Sequence, residues 1–325
     1  MNILIIGGAG FLGANLVRRC LQEPGHVVTV LDSLEPRLKA TTDTLRDVWN
    51  QIRFVRGSMG DEPLIAQVVQ GQHVIFNCAA QTSHPLSLHE PLYDAEINCM
   101  GNLKLLEAVR LLNKQAVVVY TSSSTVIGKA IGDLVDETHG ERPLDIYSAN
   151  KGVAEKYYRI YNRVHDLKTV VLRFANIYGP YGKGYPEFGF VNYFVQLAWA
   201  GEEIKVYGSG QQTRNVLYVK DAADILLRAA QDERLIGEAY FAVHDEHLSV
   251  LDIARRIVAV LGRGSVTHIE WPEERRRIEI DRVQISGARL RSITDWKPKY
   301  SFDDGLREIK TVLEKQSRHE RGMND

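Results

Sequence analysis

The sequence predicts an α/β protein built on a doubly wound parallel sheet, with a smaller C-terminal α/β lobe. Three observations lead to this fold class. Short apolar runs alternate with helical periodicity through the first half of the 325 residues. A glycine-rich turn joins the first apolar run to the first helical segment. After about Phe174 the alternation becomes irregular, which indicates a second, less regular unit.

Six apolar runs in the first half are typical of buried strands: "NILII", "VVTVL", "IRFVRG", "HVIFNC", "AVVVYTS" and "TVVLRF". Segments with helical periodicity lie between most of them, and the clearest spans 93–112. Strands that are apolar throughout and separated by helices form a parallel sheet covered on both faces. The first half is therefore predicted to be a doubly wound sheet.

The second half begins with "NIYGPYGKGYPEFG", whose glycines and prolines predict a loop. Helical patterns follow at 191–200, 222–230, 250–261 and 304–313, with strand-like "EAYFAV" and "VTHIEW" among them. We therefore predict a sheet domain over residues 1–175, to which part of 213–237 returns. Residues 176–325 are predicted to form the smaller lobe.

The composition excludes several classes of protein. The chain is 44% hydrophobic, and its 40 basic and 41 acidic residues nearly cancel, so no broad nucleic-acid or anionic-membrane surface is predicted. "MNILIIGG" lacks a targeting signal and no apolar run spans a bilayer, which predicts a cytoplasmic protein. Cys20, Cys78 and Cys99 fit neither a disulfide framework nor a metal site, so no metal is predicted.

The first strand leads directly into "GGAGFLGANL", where Gly7, Gly10 and Gly13 recur at every third position. Glycines at a strand-to-helix turn let a pyrophosphate approach the helix N-terminus. The next strand ends in Asp32, where a ribose-binding carboxylate belongs, so a Rossmann-type dinucleotide site is predicted. The carboxylate would repel the 2′-phosphate of NADP, which favours NAD. Arg37 would oppose that preference if it reached the ribose; the alternative is a surface charge.

"YSANK" separates Tyr147 from Lys151 by four residues, which is one turn of a helix. One interpretation is a solvated helix face that carries an aromatic residue. The other is a phenol whose pKa is lowered by the neighbouring ammonium. The spacing alone does not decide between them.

The chain resembles the extended short-chain dehydrogenase/reductases, and more narrowly the NAD-dependent nucleotide-sugar epimerase/dehydratase family with its UDP-glucose 4-epimerase-like members. The resemblance rests on the glycine turn, Asp32 and "YSANK", together with "NCAAQ", "INCMGNLKLLEA", "TSSSTVIG", "LRFANIYGP" and "VYGSGQQTRNVLYVKDAA". It extends over nearly the whole chain. It implies bound NAD, a nucleotide-diphosphate sugar as substrate, and a homodimer formed through the helices that carry Asn98 and Tyr147.

The resemblance also implies the catalytic roles. Tyr147 matches the family's acid/base residue, and Lys151 matches the lysine that holds the nicotinamide ribose and lowers the phenol pKa. Ser123 matches the hydroxyl residue that hydrogen-bonds the reacting oxygen. Its neighbours Ser122 and Ser124 remain alternatives for that role, and a plain Ser/Thr-rich loop remains an alternative for the whole run.

The remaining predicted site residues are matched to the family position by position. The cofactor positions are Gly7, Gly10, Phe11, Leu12, Gly13, Asp32, Ser33, Ser58, Met59, Ala79, Ala80, Gln81, Asn98, Ser122, Tyr147 and Lys151. The substrate positions are Thr82, Ser83, Ser123, Ser124, Asn176, Val206, Tyr207, Arg214 and Arg277. Asn176, Arg214 and Arg277 match contacts to the diphosphate, while Val206 and Tyr207 match the strand that reads the base.

The reaction is predicted from the two residues after Ser123. Family dehydratases carry an Asp-Glu pair there and decarboxylases carry a glutamate at the second position. Ser124 and Thr125 cannot do carboxylate chemistry, which favours epimerisation, most often at C4. A dehydratase or another oxidoreductase remains the alternative, because His84 or Glu187 could supply the missing group. A non-catalytic NAD-sensing protein is a more remote alternative.

Three departures from the family pattern leave the sugar undetermined. "GSM" replaces the usual Gly-Asp-(Ile/Val), so Ser58 offers adenine a hydroxyl in place of a carboxylate. Ile127 replaces a tyrosine near the cleft. Gln81, Thr82 and Ser83 replace bulkier or basic residues of some 4-epimerases. The nucleotide, the sugar and the reacting carbon are therefore not predicted.

Overall fold

The computed structural model describes residues 1–273, 276 and 283–322. The strands are β1 (Asn2–Ile6), β2 (Val27–Asp32), β3 (Ile52–Arg56), β4 (Val74–Asn77), β5 (Val117–Ser123), β6 (Leu134–Val135), β7 (Lys168–Phe174), β8 (Asn176–Tyr178), β9 (Glu203–Tyr207), β10 (Thr213–Tyr218), β11 (Ala239–Ala242), β12 (His247–Ser249), β13 (Ser265–Ile269) and β14 (Gln284–Ile285). The α-helices are α1 (Phe11–Leu21), α2 (Glu62–Val68), α3 (His84–His89), α4 (Pro91–Ala95), α5 (Gly101–Leu112), α6 (Ile146–His165), α7 (Phe190–Ala200), α8 (Val219–Ala229), α9 (Val250–Leu261), α10 (Ala288–Thr294) and α11 (Phe302–Gly322).

The main sheet has seven parallel strands in the order β11-β7-β5-β4-β1-β2-β3. All six apolar runs of the first half are strands of this sheet, which confirms the prediction of a doubly wound parallel sheet. The chain winds from β1 toward β3 and then returns to place β4 on the other side of β1. In such sheets the crevice for a ligand lies at this reversal, at the carboxyl ends of β1 and β4.

Two apolar cores cover the two faces of the main sheet. The alternation along β1 shows why: Ile3 and Ile5 belong to one core, and Leu4 and Ile6 to the other. Helices α1 and α8 supply side chains to the first core, and α2, α5 and α6 supply them to the second. A strand that is apolar on both faces is therefore buried on both.

A smaller lobe packs beside the sheet. It contains a three-stranded sheet of order β12-β10-β8, the parallel pair β13–β9, and helices α7, α9 and α11. Phe194, Ile253 and Leu306 lie in its core. The "EAYFAV" run was expected among the elements of this lobe, but it forms β11 at the edge of the main sheet, paired with β7. Within 213–237, α8 packs against α1 of the main sheet, whereas β10 pairs in the three-stranded sheet.

The predicted helix 93–112 is interrupted by one wide turn. The chain passes from α4 through a π-helical segment, Glu96–Met100, into α5. Asn98 lies in this segment, with its side chain buried. Because π-helical turns widen the helix and redirect side chains, they occur often at functional sites.

Two absences apply to the described part of the chain. None of its helices has both the length and the apolar character needed to cross a bilayer. Its histidines, cysteines and acidic residues form no group of three or more suited to hold a metal ion. Cys20 and Cys99 are buried thiols, and Cys78 is partly buried.

Candidate active site

A cavity of about 790 Å³ lies between the carboxyl ends of the central strands and the smaller lobe. Most of the predicted site residues line it: Gly7, Gly10, Phe11, Leu12, Gly13, Asp32, Ser33, Ser58, Met59, Ala79, Ala80, Thr82, Ser122, Ser123, Ser124, Tyr147, Lys151, Asn176 and Arg214. The fold thus brings the glycine turn, the serine run and the Tyr147–Lys151 pair to one space.

The glycine turn forms a cradle that side chains would fill. Gly7 has φ +76°, and a Cβ there would lie 2.6 Å from the Ala79 nitrogen. A Cβ on Gly13 would overlap the carbonyl oxygen of Gly7. Helix α1 begins directly after this turn, so its N-terminal N–H groups face the cavity that Gly10 and Phe11 line. The cradle fits a dinucleotide pyrophosphate, which needs close backbone approach and a helix N-terminus.

Asp32 ends β2 as a buried carboxylate that the backbone holds in place. Its Oδ2 accepts a hydrogen bond from the Ala9 N–H and its Oδ1 accepts one from the Leu34 N–H, both at 2.9 Å. Burial raises the pKa of Asp32, while these two hydrogen bonds and the charge of Lys183 lower it. Each oxygen keeps a lone pair for a further donor, so the residue suits a ribose diol.

Lys183 is a cavity residue that sequence reasoning missed. It belongs to the glycine-rich loop after β8, and its Nζ donates a hydrogen bond to the Leu38 carbonyl oxygen. Burial lowers the pKa of Lys183, and the charge of Asp32 opposes that effect. A single lysine among glycines and tyrosines carries no signal of this contact in the sequence.

Arg37 does not line the cavity. Its guanidinium pairs with Glu35 and Glu90, each at 3.0 Å, and lies 3.7 Å from the centroid of the Tyr93 ring. The side chain is half exposed. This geometry matches the interpretation of Arg37 as a surface charge rather than a ribose contact.

Tyr147 and Lys151 lie one turn apart at the start of α6, and both face the cavity. Tyr147 is 8% exposed and Lys151 is 3% exposed, so the solvated-face interpretation is wrong. Lys151 Nζ donates a hydrogen bond to the Thr121 carbonyl oxygen at 2.8 Å and lies 6.0 Å from the centroid of the Tyr147 ring. Asp145 caps the helix by accepting a 2.7 Å hydrogen bond from the Ser148 N–H.

The pKa of the phenol differs from the expectation. Burial raises the pKa of Tyr147, the hydrogen bond with Ser123 opposes this, and the charges of Asp145 and Asp94 raise it further. Burial also lowers the pKa of Lys151 to about 8. Desolvation disfavours the charged form of each group, so the protein's own residues keep the phenol protonated at neutral pH. The protein without a cofactor therefore does not show the expected lowering of the Tyr147 pKa by Lys151.

The serine run separates by role at the end of β5. Ser122 Oγ donates a hydrogen bond to the buried carboxylate of Glu155, which turns it toward the protein interior. Glu155 in turn accepts a 2.6 Å ion-paired hydrogen bond from Arg173. Ser123 Oγ lies 2.8 Å from Thr125 Oγ1 and is the hydroxyl that interacts with Tyr147. This geometry favours Ser123 over Ser122 for contact with a reacting oxygen.

Three predicted residues lie behind the cavity wall rather than on it. Gln81 is fully buried and donates a 2.7 Å hydrogen bond to Asp94 Oδ2. Asn98 Nδ2 donates to the Gln81 carbonyl oxygen at 2.9 Å, and Ser83 Oγ caps α3. The second oxygen of Asp94 accepts a 2.7 Å hydrogen bond from Asn150 on α6. Asp94, which the sequence did not single out, thus links Gln81 to the helix of Tyr147.

The predicted substrate positions divide into two groups. Asn176 and Arg214 line the cavity, and Asn176 Nδ2 donates to the Asn215 carbonyl oxygen at 2.9 Å. Val206 is fully buried in β9, and the Tyr207 ring packs 5.1 Å from that of Trp271. Neither Val206 nor Tyr207 is among the residues that line the cavity. The predicted phosphate contact Arg277 lies outside the described residues.

His84 and Glu187 both line the cavity, as the alternative reaction requires. His84 Nδ1 lies 2.6 Å from Asp145 Oδ2, although 61 residues separate them in the chain. The His84 ring meets the Tyr147 ring edge-on, with their centroids 4.7 Å apart. Asp145 was missed because an aspartate ahead of a helix is ordinarily read as a cap.

The geometry agrees with comparisons to known proteins. A family model described as the NAD dependent epimerase/dehydratase family matches residues 3–241. The putative UDP-glucose 4-epimerase of Methanocaldococcus jannaschii is 27% identical over 317 residues, 97% of this chain and 99% of that protein. A dTDP-glucose 4,6-dehydratase of Streptomyces niveus is 32% identical over 321 residues, 96% of this chain and 92% of that protein.

The same architecture occurs in a solved enzyme. The crystal structure of UDP-glucose 4-epimerase from Thermotoga maritima, with UDP-glucose, matches with a TM-score of 0.88. The match covers 97% of this chain and 99% of that chain. The two sequences are 26% identical. The family match spans both the glycine turn and the "YSANK" segment. The chain therefore belongs to the NAD-dependent epimerase/dehydratase family.

Proposed function

We propose that the protein epimerises a nucleotide-diphosphate sugar through a transient keto intermediate, most often at C4, with NAD held tightly between turnovers. The observation that carries the proposal is the meeting of Ser123, Tyr147 and Lys151 in the cavity that the glycine turn and Asp32 also line. Relatives that act on UDP-glucose and dTDP-glucose align over nearly the whole chain, which supports this substrate class.

The chain's own residues divide the work of binding and proton transfer. The glycine turn and Asp32 would hold the pyrophosphate and one ribose of NAD, and Lys151 would hold the nicotinamide ribose. Bound NAD would supply the hydride-transfer chemistry for oxidation and re-reduction of the sugar carbon. Tyr147 takes the hydroxyl proton of that carbon while Ser123 donates a hydrogen bond to the same oxygen. Because burial raises the pKa of Tyr147, its basic form depends on the positive charges of Lys151 and of the oxidised nicotinamide.

The second half of the chain supplies the sugar-nucleotide side of the cavity in this proposal. Asn176 and Arg214 contact the diphosphate, for which a planar guanidinium is well suited. In this proposal residues 1–175 form the domain that binds NAD, and residues 176–325 form the lobe that binds the sugar nucleotide. A cytoplasmic location and a role in carbohydrate biosynthesis belong to the same proposal.

Epimerisation is favoured over dehydration because Ser124 and Thr125 follow Ser123 directly, where a dehydratase needs an acid and a base. A dehydratase remains the second candidate, since His84 also lines the cavity beside Tyr147. A non-catalytic NAD-sensing protein would have no use for the convergence of Ser123, Tyr147 and Lys151.

Incubation with UDP-, dTDP-, GDP- and CDP-sugars, followed by mass spectrometry and sugar analysis, tests the proposal. We expect an epimer whose mass equals that of the substrate, without net formation of NADH. Loss of one water from the product would identify a dehydratase, and net NADH would identify another oxidoreductase. Conversion of none of these sugars, with NAD still bound, would favour the sensing protein.

We also propose that the protein forms a homodimer through α4, α5 and α6. Leu92, Leu111 and Val164 on these helices are 85%, 64% and 63% exposed, and a partner packed on the helices would bury them. Sedimentation equilibrium should give the mass of two chains for the wild type and of one chain for Leu111→Glu combined with Val164→Glu. Val27→Glu, at an exposed apolar position of β2, is the control that should stay dimeric. A monomeric wild type would contradict the proposal.

A further inference from the structure

His84 and Asp145 form a second pair of acid–base groups in the cavity, next to Tyr147. Nδ1 of His84 is 2.6 Å from Asp145 Oδ2, and both residues line the cavity. The His84 side chain is 39% exposed, whereas that of Asp145 is 12% exposed. The carboxylate is thus shielded and the imidazole is open to a ligand.

Asp145 is held in place from the helix side. It caps α6, and its Oδ1 accepts the Ser148 N–H at 2.7 Å, which leaves Oδ2 for His84. Burial alone would raise the pKa of Asp145, but the hydrogen bond and charge of His84 and the contact with Ser148 lower it. The group is therefore ionised at neutral pH, and it favours a proton on Nδ1 of the imidazole.

This arrangement leaves Nε2 of His84 as the basic nitrogen. Among the described residues, the His84 ring makes its hydrogen bond through Nδ1, to Asp145. An imidazole whose tautomer is set by a buried carboxylate is the usual general base of enzymes. The edge-on contact with Tyr147, at 4.7 Å between centroids, sets this base beside the residue that removes the hydroxyl proton.

We propose that His84, oriented by Asp145, removes a proton from the sugar carbon adjacent to the carbon that the enzyme oxidises. The inference rests on the proposed function, which supplies the ketone. Nε2 takes the proton, the C–H electron pair forms a C=C bond, and the carbonyl π pair moves to oxygen as an enolate. The return of the proton restores the ketone, on either face of the carbon. Where a hydroxyl stands one carbon further on, the same enolate expels it with a proton as water.

The proton transfer can be measured without the hydride step. The probes are dTDP-4-keto-6-deoxyglucose and UDP-4-keto-6-deoxyglucose in D₂O, because each already carries a ketone. Mass spectrometry and NMR follow deuterium at the carbons beside it, against an enzyme-free sample. The test therefore stands even if the enzyme fails to oxidise any sugar, and the conversion assay for the proposed function is read separately.

We expect the NAD-bound wild type to incorporate deuterium faster than the enzyme-free sample with at least one of the two probes. His84→Asn should reduce the enzyme-dependent rate about 100-fold, in the range of a lost general base. Asp145→Asn should reduce it about tenfold, because asparagine still caps the helix but does not set the imidazole tautomer.

His89→Asn is the matched control, because His89 is an exposed histidine on the same short helix and does not line the cavity. This variant should exchange deuterium as the wild type does. Circular dichroism and NAD binding establish that the variants are folded. Absence of enzyme-dependent exchange with both probes, or an equal rate in His84→Asn and the wild type, would overturn the proposal.

Discussion

The two ends of the cavity are held by different kinds of contact. At the glycine-turn end, formed by Gly7, Gly13 and Asp32, the contacts run to backbone atoms of the turn itself and of the segments that follow the adjoining strands. At the tyrosine end, formed by Tyr147, Lys151 and His84 with their neighbours, side chains from distant segments meet. His84 and Asp145 are 61 residues apart, and Asp94 and Asn150 are 56 residues apart.

The ends also differ in what opposes the effect of burial on their charged groups. Burial leaves the pKa of Asp32 raised, although two backbone N–H groups and the charge of Lys183 oppose that rise. At the tyrosine end burial raises the pKa of Tyr147 and lowers that of Lys151 to about 8. The glycine-turn end thus offers its carboxylate local hydrogen-bond donors, whereas burial at the tyrosine end favours the neutral forms of Tyr147 and Lys151.

The largest effect should follow the removal of the acid/base oxygen at the tyrosine end. Tyr147→Phe should lower kcat about 10³- to 10⁴-fold, because proton transfer from the sugar hydroxyl loses its base. NAD binding should persist, since the glycine-turn end is untouched. Steady-state kinetics and calorimetric titration with NAD measure the two quantities.

Tyr157→Phe serves as the control for this change, because Tyr157 lies on the same helix and packs against the core away from the cavity. Its kcat should remain close to that of the wild type. Full activity in Tyr147→Phe would mean that the base lies elsewhere. Proton transfer could then not be assigned to the tyrosine end of the cavity.

The next largest effect tests the buried pair behind the serine run. Glu155→Ala removes the buried partner of the Arg173 guanidinium, which is 5% exposed, and leaves it the partly exposed Glu141 at 3.4 Å. The free energy of unfolding should fall by about 3 to 4 kcal/mol, as measured by urea denaturation. Arg46→Ala, at an exposed ion pair with Asp43, should change it by less than about 1 kcal/mol. Equal losses in both variants would show that burial does not govern the stability of these pairs.

A smaller and opposite effect is expected at Lys151, measured without NAD. Its folded pKa of about 8 lies below the unfolded value of about 10.4, so the unfolded state binds more protons between these pH values. Wild-type stability therefore gains from this group as pH rises from 8 to 10, and below 8 the full penalty remains. Lys151→Met should raise the free energy of unfolding by about 2 kcal/mol at pH 7, with less gain at pH 9.5.

Lys156→Met provides the comparison for this pH dependence, because Lys156 is exposed on the same helix and its side chain pairs with Glu141. Its difference from the wild type should not shrink between pH 7 and pH 9.5. If Lys151→Met were less stable than the wild type at pH 7, burial would not be the dominant influence on this lysine.

The smallest effect should arise at the glycine-turn end. Asp32→Asn should weaken NAD binding about tenfold, or about 1.4 kcal/mol, because a neutral amide replaces the charged acceptor of the ribose hydroxyls. The preference for NAD over NADP should fall in parallel, since the repulsion of the 2′-phosphate is removed. Titrations with both cofactors measure this. An unaltered ratio of the two affinities would assign the preference to other residues, with Lys183 as the first to examine.

Much of the site could be predicted because its motifs are short. The glycine turn, Asp32, Ser123, Tyr147 and Lys151 each belong to a local pattern, and the structure brings all of them to one cavity. Lys183, Asp94 and Asp145 belong to no such pattern. Lys183 meets the Leu38 carbonyl oxygen across 145 residues. Val206 and Tyr207 are the opposite case, because the family pattern predicts a substrate contact for them and neither lines the cavity.

The sequence by itself determined the doubly wound sheet, the dinucleotide turn and the tyrosine–lysine spacing, because hydrophobic periodicity and helical spacing act over a few residues. Only the tertiary structure decided which groups meet at the tyrosine end and how they are protonated. Burial and through-space contact depend on the assembled fold: the same Tyr147 and Lys151 that spacing set side by side are both desolvated there, and Asp145 reaches His84 only once α3 and α6 pack together.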